Sequence, residues 1–372
     1  MKNLTLFSLM MFSLVRVNAQ QKEYFMLVGT YTRPGMSEGI YVYKFDTETG
    51  KSEAISTVPA SNPSYLAVSP DEKFVYAVNE DKPGNITAFS FDKQSGQLSV
   101  INQQPSGGDH PCYITVDKTG KWVIAGNYSS GSATLFPVEK NGALGDIAAT
   151  LQDVGYSVNS DRQEGPHVHS TVLSPDNNFL FTPDLGTDKV MIYSFDDRKG
   201  ALKPAKIPYV ETEAGSGPRH FIFHPRLHVA YLIEELTGSI SVYGYSKGVL
   251  NLLQNISSQP LDYLGTASGA DIHISPDGNF LYASNRAQSN TIGIFAIHPE
   301  NGTLTLFDHQ STMGETPRNF SIDPSGNFLL VANQDSNEIV VFTIDKASGA
   351  LSDSGERINL GKPVCIKWIS TQ

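Results

Sequence analysis

An eighteen-residue motif recurs six times along the chain, and its spacing limits what the chain can fold into. Each copy holds an apolar alternating stretch, a turn that usually carries proline, and a second apolar stretch ending in polar residues. The copies are PSYLAVSPDEKFVYAVNE (63–80), PCYITVDKTGKWVIAGNY (111–128), VHSTVLSPDNNFLFTPDL (168–185), PRHFIFHPRLHVAYLIEE (218–235), GADIHISPDGNFLYASNR (269–286) and PRNFSIDPSGNFLLVANQ (317–334). Aligned at the turn, successive copies are 48, 57, 50, 51 and 48 residues apart. A period near 50 residues of short strands predicts a β-propeller in which each repeat is one four-stranded blade.

The two ends of the chain supply the strands of a further blade. Strand-like segments at 24–31, 39–46 and 53–58 lack a first strand, and the segment 363–370 lacks the other three. Pairing the N-terminal strands with the C-terminal strand closes the ring and removes exposed sheet edges. The sequence therefore predicts an all-β, seven-bladed β-propeller. The 57-residue step predicts a longer loop around 147–165.

The first nineteen residues have the pattern of a secretory signal peptide. Lys2 precedes an uncharged apolar run from Leu4 to Val15, and Ala19 is a residue that signal peptidase accepts. We predict cleavage near Ala19, a single domain over 20–372, and a periplasmic or secreted protein; without the signal the protein would be cytoplasmic. The apolar run is too short to span a bilayer, so no membrane insertion is expected.

The net charge of the chain limits which kinds of molecule can be its main partner. The 372-residue chain has 27 Lys and Arg against 38 Asp and Glu. Loss of residues 1–19 removes Lys2 and Arg16 and no acid, so the net charge changes from −11 to −13. This balance argues against nucleic acid as the main partner.

The repeat places polar side chains at one mouth of the central channel. The start of strand one lies beside the end of strand two in an antiparallel hairpin, and strand one is innermost. Two rings of positions should therefore face each other: Ser64, Cys112, His169, Arg219, Ala270 and Arg318, and Glu80, Tyr128, Leu185, Glu235, Arg286 and Gln334. Ionisable residues on an inner strand are costly unless they are paired or used, which makes these rings a candidate site.

Four of these residues form the best catalytic candidate: His169, Arg219, Glu235 and Arg286. Two guanidiniums suit an anionic ligand, while Glu235 and His169 can move a proton. The further candidates for substrate binding are Glu80, Tyr128, His167, Arg318, Gln334 and Asn285. The alternative is an Arg–Glu pair with a core histidine that plugs the channel.

No cofactor is predicted, and no metal site is expected. The pair His167 and His169 has a spacing that puts both on one face of a strand, but a third His or Cys ligand is not evident. Cys112 and Cys365 differ in phase, so a disulfide between them is not expected.

Several runs resemble a known family at these residues. LVGTYT, PHVHSTVLSPD, FTPDLGTDKV, GPRHFIFHP, HISPDGNFLYASNR and PRNFSIDPSGNFLLVANQ resemble the seven-bladed bacterial 6-phosphogluconolactonases and the related fungal carboxy-muconate lactonising enzymes. The resemblance covers residues 24–370. It implies a metal-independent site at one mouth of a propeller that acts on lactones of small acids. It also implies that the residues matching the family's His, Arg, Glu and Arg, namely His169, Arg219, Glu235 and Arg286, form this site.

We therefore expect a hydrolase that opens a sugar lactone, such as 6-phosphogluconolactone or a related compound, with a small anionic lactone as its substrate. Either Glu235 or His169 is expected to be the general base. Two other functions stay open: cycloisomerisation of a muconate-type acid, and a non-catalytic propeller that binds a protein or a glycan. Because 6-phosphogluconolactone is made in the cytoplasm, an export signal instead favours an extracytoplasmic lactone.

Overall fold

A computed structural model describes residues 22–372, and within that range every regular element is a strand. The predicted signal peptide lies outside these residues. No helix long and apolar enough to cross a membrane is found between residues 22 and 372. The strands are β1 (Glu23–Thr30), β2 (Gly39–Asp46), β3 (Ser52–Pro59), β4 (Leu66–Val68), β5 (Phe74–Asn79), β6 (Asn85–Asp92), β7 (Gln97–Pro105), β8 (Pro111–Val116), β9 (Trp122–Asn127), β10 (Ser132–Pro137), β11 (Ala149–Gln152), β12 (Val172–Leu173), β13 (Phe179–Asp184), β14 (Lys189–Asp196), β15 (Ala201–Glu211), β16 (Pro218–Phe223), β17 (Val229–Glu234), β18 (Ser239–Ser246), β19 (Val249–Ser257), β20 (Gly269–Ile274), β21 (Phe280–Asn285), β22 (Thr291–Ile297), β23 (Leu304–Ser311), β24 (Pro317–Ile322), β25 (Phe328–Asn333), β26 (Glu338–Ile344), β27 (Leu351–Asn359) and β28 (Pro363–Ser370).

These strands form seven four-stranded antiparallel sheets, as the repeat predicted. Blades 1 to 6 follow the chain, with β4–β7 in blade 1 and each next group of four strands in the next blade. Blade 7 has the order β28-β1-β2-β3. The prediction of a seven-bladed propeller is confirmed.

Blade 7 closes the ring by pairing the two ends of the chain. β1 runs antiparallel to β28, with Tyr24 opposite Ser370 and Val28 opposite Ile366. The Thr371 hydroxyl donates to the Glu23 carbonyl at 3.0 Å beyond the last pair. The innermost strand of blade 7 is thus the end of the chain, as the two terminal fragments predicted.

Neighbouring blades are joined by apolar packing and by a repeated tyrosine. Phe181 of blade 3 stacks on Phe221 of blade 4, with ring centroids 5.4 Å apart. The buried hydroxyls of Tyr76, Tyr231 and Tyr282 each donate to the carbonyl of a turn glycine in the following blade, at 3.1, 2.8 and 2.9 Å respectively. A tyrosine there fills the space between two sheets and still satisfies its polar end.

A β-bulge recurs where strand one begins. Pro218 pairs with Glu234 and His220 with Ile233, so Arg219 has no partner residue in the ladder. Cys112 and Arg318 occupy the same unpaired position in blades 2 and 6. A bulge breaks the alternation of side chains along a strand and re-aims them, which brings these residues to the channel axis.

Blade 3 departs from the others at its inner strand. β12 has two residues, and the preceding segment makes only an isolated bridge between Val168 and Asp184. Pro183 stands opposite this segment and has no amide hydrogen to donate to a ladder. The 57-residue step predicted a longer loop around 147–165. The loop is present between β11 and β12 but covers 153–171, because 149–152 forms the outer strand β11 of blade 2.

Candidate active site

Glu235 is the centre of the charged cluster at the mouth where strand one begins. Its Oε2 lies 2.9 Å from Arg219 Nε and 2.8 Å from Arg286 Nη2. Its Oε1 lies 2.6 Å from Arg162 Nη2. These guanidiniums hold the pKa of Glu235 well below its usual range despite its burial. The carboxylate is therefore ionised at any working pH and has low proton affinity.

Arg219 is almost completely buried and is fixed on two further sides. Its Nη1 donates to the Ala270 carbonyl and to His220 Nε2, the latter at 3.3 Å. Burial and the nearby Arg286 lower the pKa of Arg219 to about 10, so it stays cationic at neutral pH. A buried cation held this way is an oriented donor rather than a mobile surface charge.

His169 lies against the same carboxylate. Its Nε2 is 3.9 Å from Glu235 Oε2, and its Nδ1 is 3.8 Å from Cys112 Sγ. Burial and the positive charge of Arg219 hold the pKa of His169 well below its usual range. The imidazole is therefore neutral near pH 7 and can accept a proton.

A second charged group lies across the mouth. Arg318 packs over the ring of Tyr31, with the guanidinium carbon 5.5 Å from the ring centre. Glu80 accepts hydrogen bonds from the Tyr31 hydroxyl at 2.8 Å and from the Ser64 hydroxyl. Over residues 22–372, no carboxylate lies within 4.0 Å of the Arg318 guanidinium. Arg318 thus offers its donors to a ligand.

Tyr128 and His167 form one wall of the mouth. Their rings stack 4.5 Å apart at an angle of 8°, and His167 Nδ1 lies 3.1 Å from the Tyr128 carbonyl. The Tyr128 hydroxyl accepts from Arg162 at 3.3 Å. The two rings thus give this side of the mouth a flat, partly polar surface.

Two of the predicted substrate-binding residues lie away from the Glu235 cluster. Asn285 is fully buried and its side chain is hydrogen-bonded to Ser258 and Gln259 between two blades. The Gln334 amide donates to the neighbouring Asp335 at 3.1 Å on the rim. Asn285 ends its strand one position before Arg286, and strand alternation turns it away from the channel.

Arg162 and Tyr31 belong to the mouth and were not predicted. Arg162 lies on the long loop between β11 and β12, where no strand periodicity predicts the direction of a side chain. The only sequence signal for this region was the extra length of the loop. Tyr31 directly follows β1, the second strand of blade 7, just as Glu80 directly follows β5, the second strand of blade 1. Applying the same position to blade 7, which is split between the chain ends, would have identified Tyr31.

The channel is narrow behind the cluster. A void of about 10 Å³, room for roughly one water, is lined by Ser64, Cys112, His169, Arg219, Arg318 and Asn319. A separate cavity of about 370 Å³ opens at the opposite end, beside Lys118, Lys367 and His273. Across residues 22–372, no group of three His, Cys, Asp or Glu side chains is placed to hold a metal ion. The chemistry available at the mouth is that of arginine, carboxylate and imidazole.

Comparison with known proteins matches the whole propeller. The family described as "Lactonase, 7-bladed beta-propeller" matches residues 25–368. A protein of Formosa agariphila named 6-phosphogluconolactonase is 40% identical over 334 residues, covering 88% of this chain and 94% of that protein. A protein of the same name from Bacillus subtilis is 34% identical, covering 93% of this chain and 99% of the relative.

Solved structures give the same match in three dimensions. A putative 6-phosphogluconolactonase of Bacteroides fragilis superposes with a TM-score of 0.89 at 40% identity, covering 94% of this chain and 98% of that one. A periplasmic gluconolactonase of Pseudomonas aeruginosa superposes with a TM-score of 0.90 at 36% identity, covering 94% and 100%.

Proposed function

The chain belongs to the lactonase family of seven-bladed β-propellers, and from that premise we propose that its charged mouth hydrolyses the ester bond of a sugar lactone. The observation that carries the proposal is the contact of one ionised carboxylate, Glu235, with two buried guanidiniums and a neutral imidazole. The names of the Formosa agariphila and Bacillus subtilis relatives support a six-carbon lactone as substrate.

His169 is the general base in this proposal. Both oxygens of Glu235 already accept from arginines, whereas the neutral imidazole has a free lone pair. His169 Nε2 and Glu235 Oε2 are 3.9 Å apart, so one water can hydrogen-bond to both at about 2.8 Å. Glu235 then stabilises the imidazolium that forms when His169 takes the proton of this water.

The arginines act at two places on the substrate. Arg318 has no carboxylate partner and binds the anionic or polyhydroxyl end of the substrate. Arg219 and Arg286 donate to the oxyanion that develops when the water oxygen attacks the lactone carbonyl carbon. Collapse of this intermediate breaks the bond to the ring oxygen, and protonated His169 returns its proton to that oxygen. The products are a free hydroxyl and a carboxylic acid, which ionises into solvent.

We also propose that the protein is exported and that its natural substrate is an extracytoplasmic lactone without a phosphate group. Residues 1–19 have the pattern of a signal peptide. The name of the Pseudomonas aeruginosa neighbour, a periplasmic gluconolactonase, agrees with this location. In this case Arg318 binds the hydroxyls of a neutral sugar lactone.

Ring-opening assays test the activity. Purified protein is given glucono-δ-lactone, 6-phosphogluconolactone and a muconolactone, and acid release is followed at constant pH with correction for spontaneous hydrolysis. We expect rapid opening of a gluconolactone. Glu235→Gln and Arg286→Ala variants that fold normally should lose at least tenfold in kcat/KM. Wild-type rates in both variants would refute the mechanism, and turnover of the muconolactone alone would instead make the protein a cycloisomerase.

Export has its own test. The mature N-terminus is sequenced from periplasmic and cytoplasmic fractions of a Gram-negative host. A periplasmic protein that begins near Gln20 supports export, and an intact Met1 in the cytoplasm contradicts it.

A further inference from the structure

Asp271 is an almost completely buried carboxylate on the channel axis, one layer below the charged mouth. It is only 2% exposed. Its Oδ1 lies 2.7 Å from His220 Nδ1 and 3.0 Å from the Ile272 amide, and its Oδ2 lies 2.9 Å from His273 Nε2. The Asn319 amide also donates to Oδ2. Burying a carboxylate is costly even when its oxygens are satisfied, and an apolar side chain would fill the same space at less cost.

His220 connects this carboxylate to the mouth. An ionised Asp271 can only accept, so His220 Nδ1 must carry the hydrogen and Nε2 must carry the lone pair. That lone pair faces Arg219 Nη1 at 3.3 Å. Burial and the Arg219 charge lower the pKa of His220 to about 4, which keeps the ring neutral and Nε2 an acceptor at neutral pH.

The β-bulge explains how consecutive residues make this contact. In a regular strand, Arg219 and His220 would point to opposite faces of the sheet. The unpaired position of Arg219 brings both side chains to the channel, one in the mouth and one behind it.

We propose that Asp271 is a positioning residue that acts through His220 to hold Arg219 in the orientation its catalytic role requires. The inference rests on the proposed function, in which Arg219 stabilises the oxyanion. Asp271 selects the His220 tautomer that accepts from Nη1, while Glu235 fixes Nε and the Ala270 carbonyl also accepts from Nη1. Arg219 Nη2 makes no hydrogen bond to any residue from 22 to 372 and remains for the reacting oxygen. A preorganised donor needs no rearrangement when the charge develops, and this is what such a support provides.

The kinetic test compares variants at His220 with variants at Asp271. His220→Met removes the acceptor for Arg219, and Asp271→Leu removes the carboxylate that selects the accepting tautomer of His220. Each variant should lower kcat by about 10- to 100-fold, with KM changed less than about threefold. His220→Gln, whose amide oxygen can take the place of Nε2, should recover at least tenfold over His220→Met. A purely structural role would give Gln and Met the same kcat. Asp323→Asn is the matched control: Asp323 is equally buried but lies at the far end of blade 6, so it should lower stability and leave kcat unchanged.

A second measurement does not depend on turnover. In protein labelled with ¹⁵N at histidine and arginine, His220 should show the Nδ1–H tautomer, and the Arg219 Nη1 hydrogens should be protected from solvent exchange. Asp271→Asn, the mildest change, should speed that exchange. If the wild-type protein opens no lactone but shows the Nδ1–H tautomer of His220 and the protected Arg219 hydrogens, the proposed function is refuted. The positioning of Arg219 by Asp271 through His220 would then still stand. Active wild-type protein in which His220 carries Nε2–H, or folded Asp271→Leu and His220→Met variants with wild-type kcat, would overturn the positioning.

Discussion

Two consecutive glutamates show how far the position of one residue sets its chemistry. Glu235 faces the arginines of the mouth, and they keep it ionised. Glu234 faces between two blades, where it accepts from Ser241 at 2.8 Å and burial raises its pKa to about 7. Because side chains alternate along a strand, strand phase alone separates the site carboxylate from the buried one.

This contrast predicts a pH-dependent stability from Glu234. A group whose pKa is higher in the folded than in the unfolded state stabilises the fold fully below its unfolded value, and this stabilisation is lost as pH rises through the folded value. For Glu234 the loss between pH 6 and pH 8 is about 1 kcal/mol in the free energy of unfolding. Urea unfolding at pH 6 and pH 8 measures this effect. Between the two pH values, the free energy of unfolding should fall by about 1 kcal/mol less in Glu234→Gln than in the wild type. Glu53→Gln, an exposed carboxylate, is the control, and equal pH dependence in all three proteins would contradict the prediction.

The pH dependence of catalysis should report His169. Its pKa is held well below 6.5, so kcat/KM should be constant from pH 8 down to about 6.5 and fall only in more acidic solution as the base becomes protonated. Because the Glu235 charge favours the imidazolium, Glu235→Gln should retain weak activity with this acidic limb moved to lower pH. An acidic limb that disappears in Glu235→Gln would assign the base to Glu235 instead. Initial rates over pH 5–8, limited to pH values at which circular dichroism shows folded protein, measure the limb.

At the scale of the strand, one motif explains both the success and the failure of the sequence prediction. Counting positions from the repeated turn brought His169, Arg219, Glu235 and Arg286 together, because every blade repeats the same hairpin. Counting positions did not find Asp271 and His220, because in a regular strand the neighbour of a channel residue points away from the channel. The β-bulge at the start of strand one breaks this alternation. The repeat also gives no direction to Arg162, which lies on a loop outside the periodic strands.

The ends of the second strands carry a structural device of their own. Four asparagines donate Nδ2 to a carbonyl in the segment that leads into strand one of their blade. They are Asn79, Asn127, Asn285 and Asn333, at 2.8, 3.2, 2.7 and 3.0 Å. Each ties a loop at the mouth to the blade beneath it, and so fixes the start of strand one.

Asn285 is therefore expected to support the fold rather than bind substrate. Asn285→Ala leaves the Ser258 carbonyl, the Ser258 hydroxyl and the Gln259 amide without this partner. The variant should lose about 2–3 kcal/mol in free energy of unfolding, with KM for the lactone within twofold of the wild type. Urea unfolding and initial rates measure the two effects. Asn251→Ala, at an exposed position on β19, is the control. A large rise in KM with unchanged stability would restore Asn285 to the substrate-binding set.

At the scale of the whole molecule, charge is unevenly distributed. The chain has a net charge of −11, yet the mouth brings together Arg162, Arg219, Arg286 and Arg318 around two glutamates. The ring geometry produces this concentration, because each arginine comes from a different blade or loop and all converge on one axis. An anionic or electron-rich substrate can thus be bound locally by an acidic protein.

The closure of that ring by the two chain ends should be required for a cooperative fold. β28 is the innermost strand of blade 7, and it buries Cys365, Ile366 and Ile369 between the blades. Deleting residues 363–372 would expose the paired edge of β1 and open the ring, so the apolar faces of blades 6 and 1 would lose the strand that packs against both. We expect a protein that aggregates or lacks a single cooperative thermal transition, because each blade is stabilised by apolar packing against its neighbours around the closed ring. Deleting only Thr371 and Gln372 keeps every pair of the β1–β28 ladder and should change the transition little. Scanning calorimetry distinguishes the two deletions, and a soluble 1–362 protein with a sharp transition would show that six blades and a fragment are stable without closure.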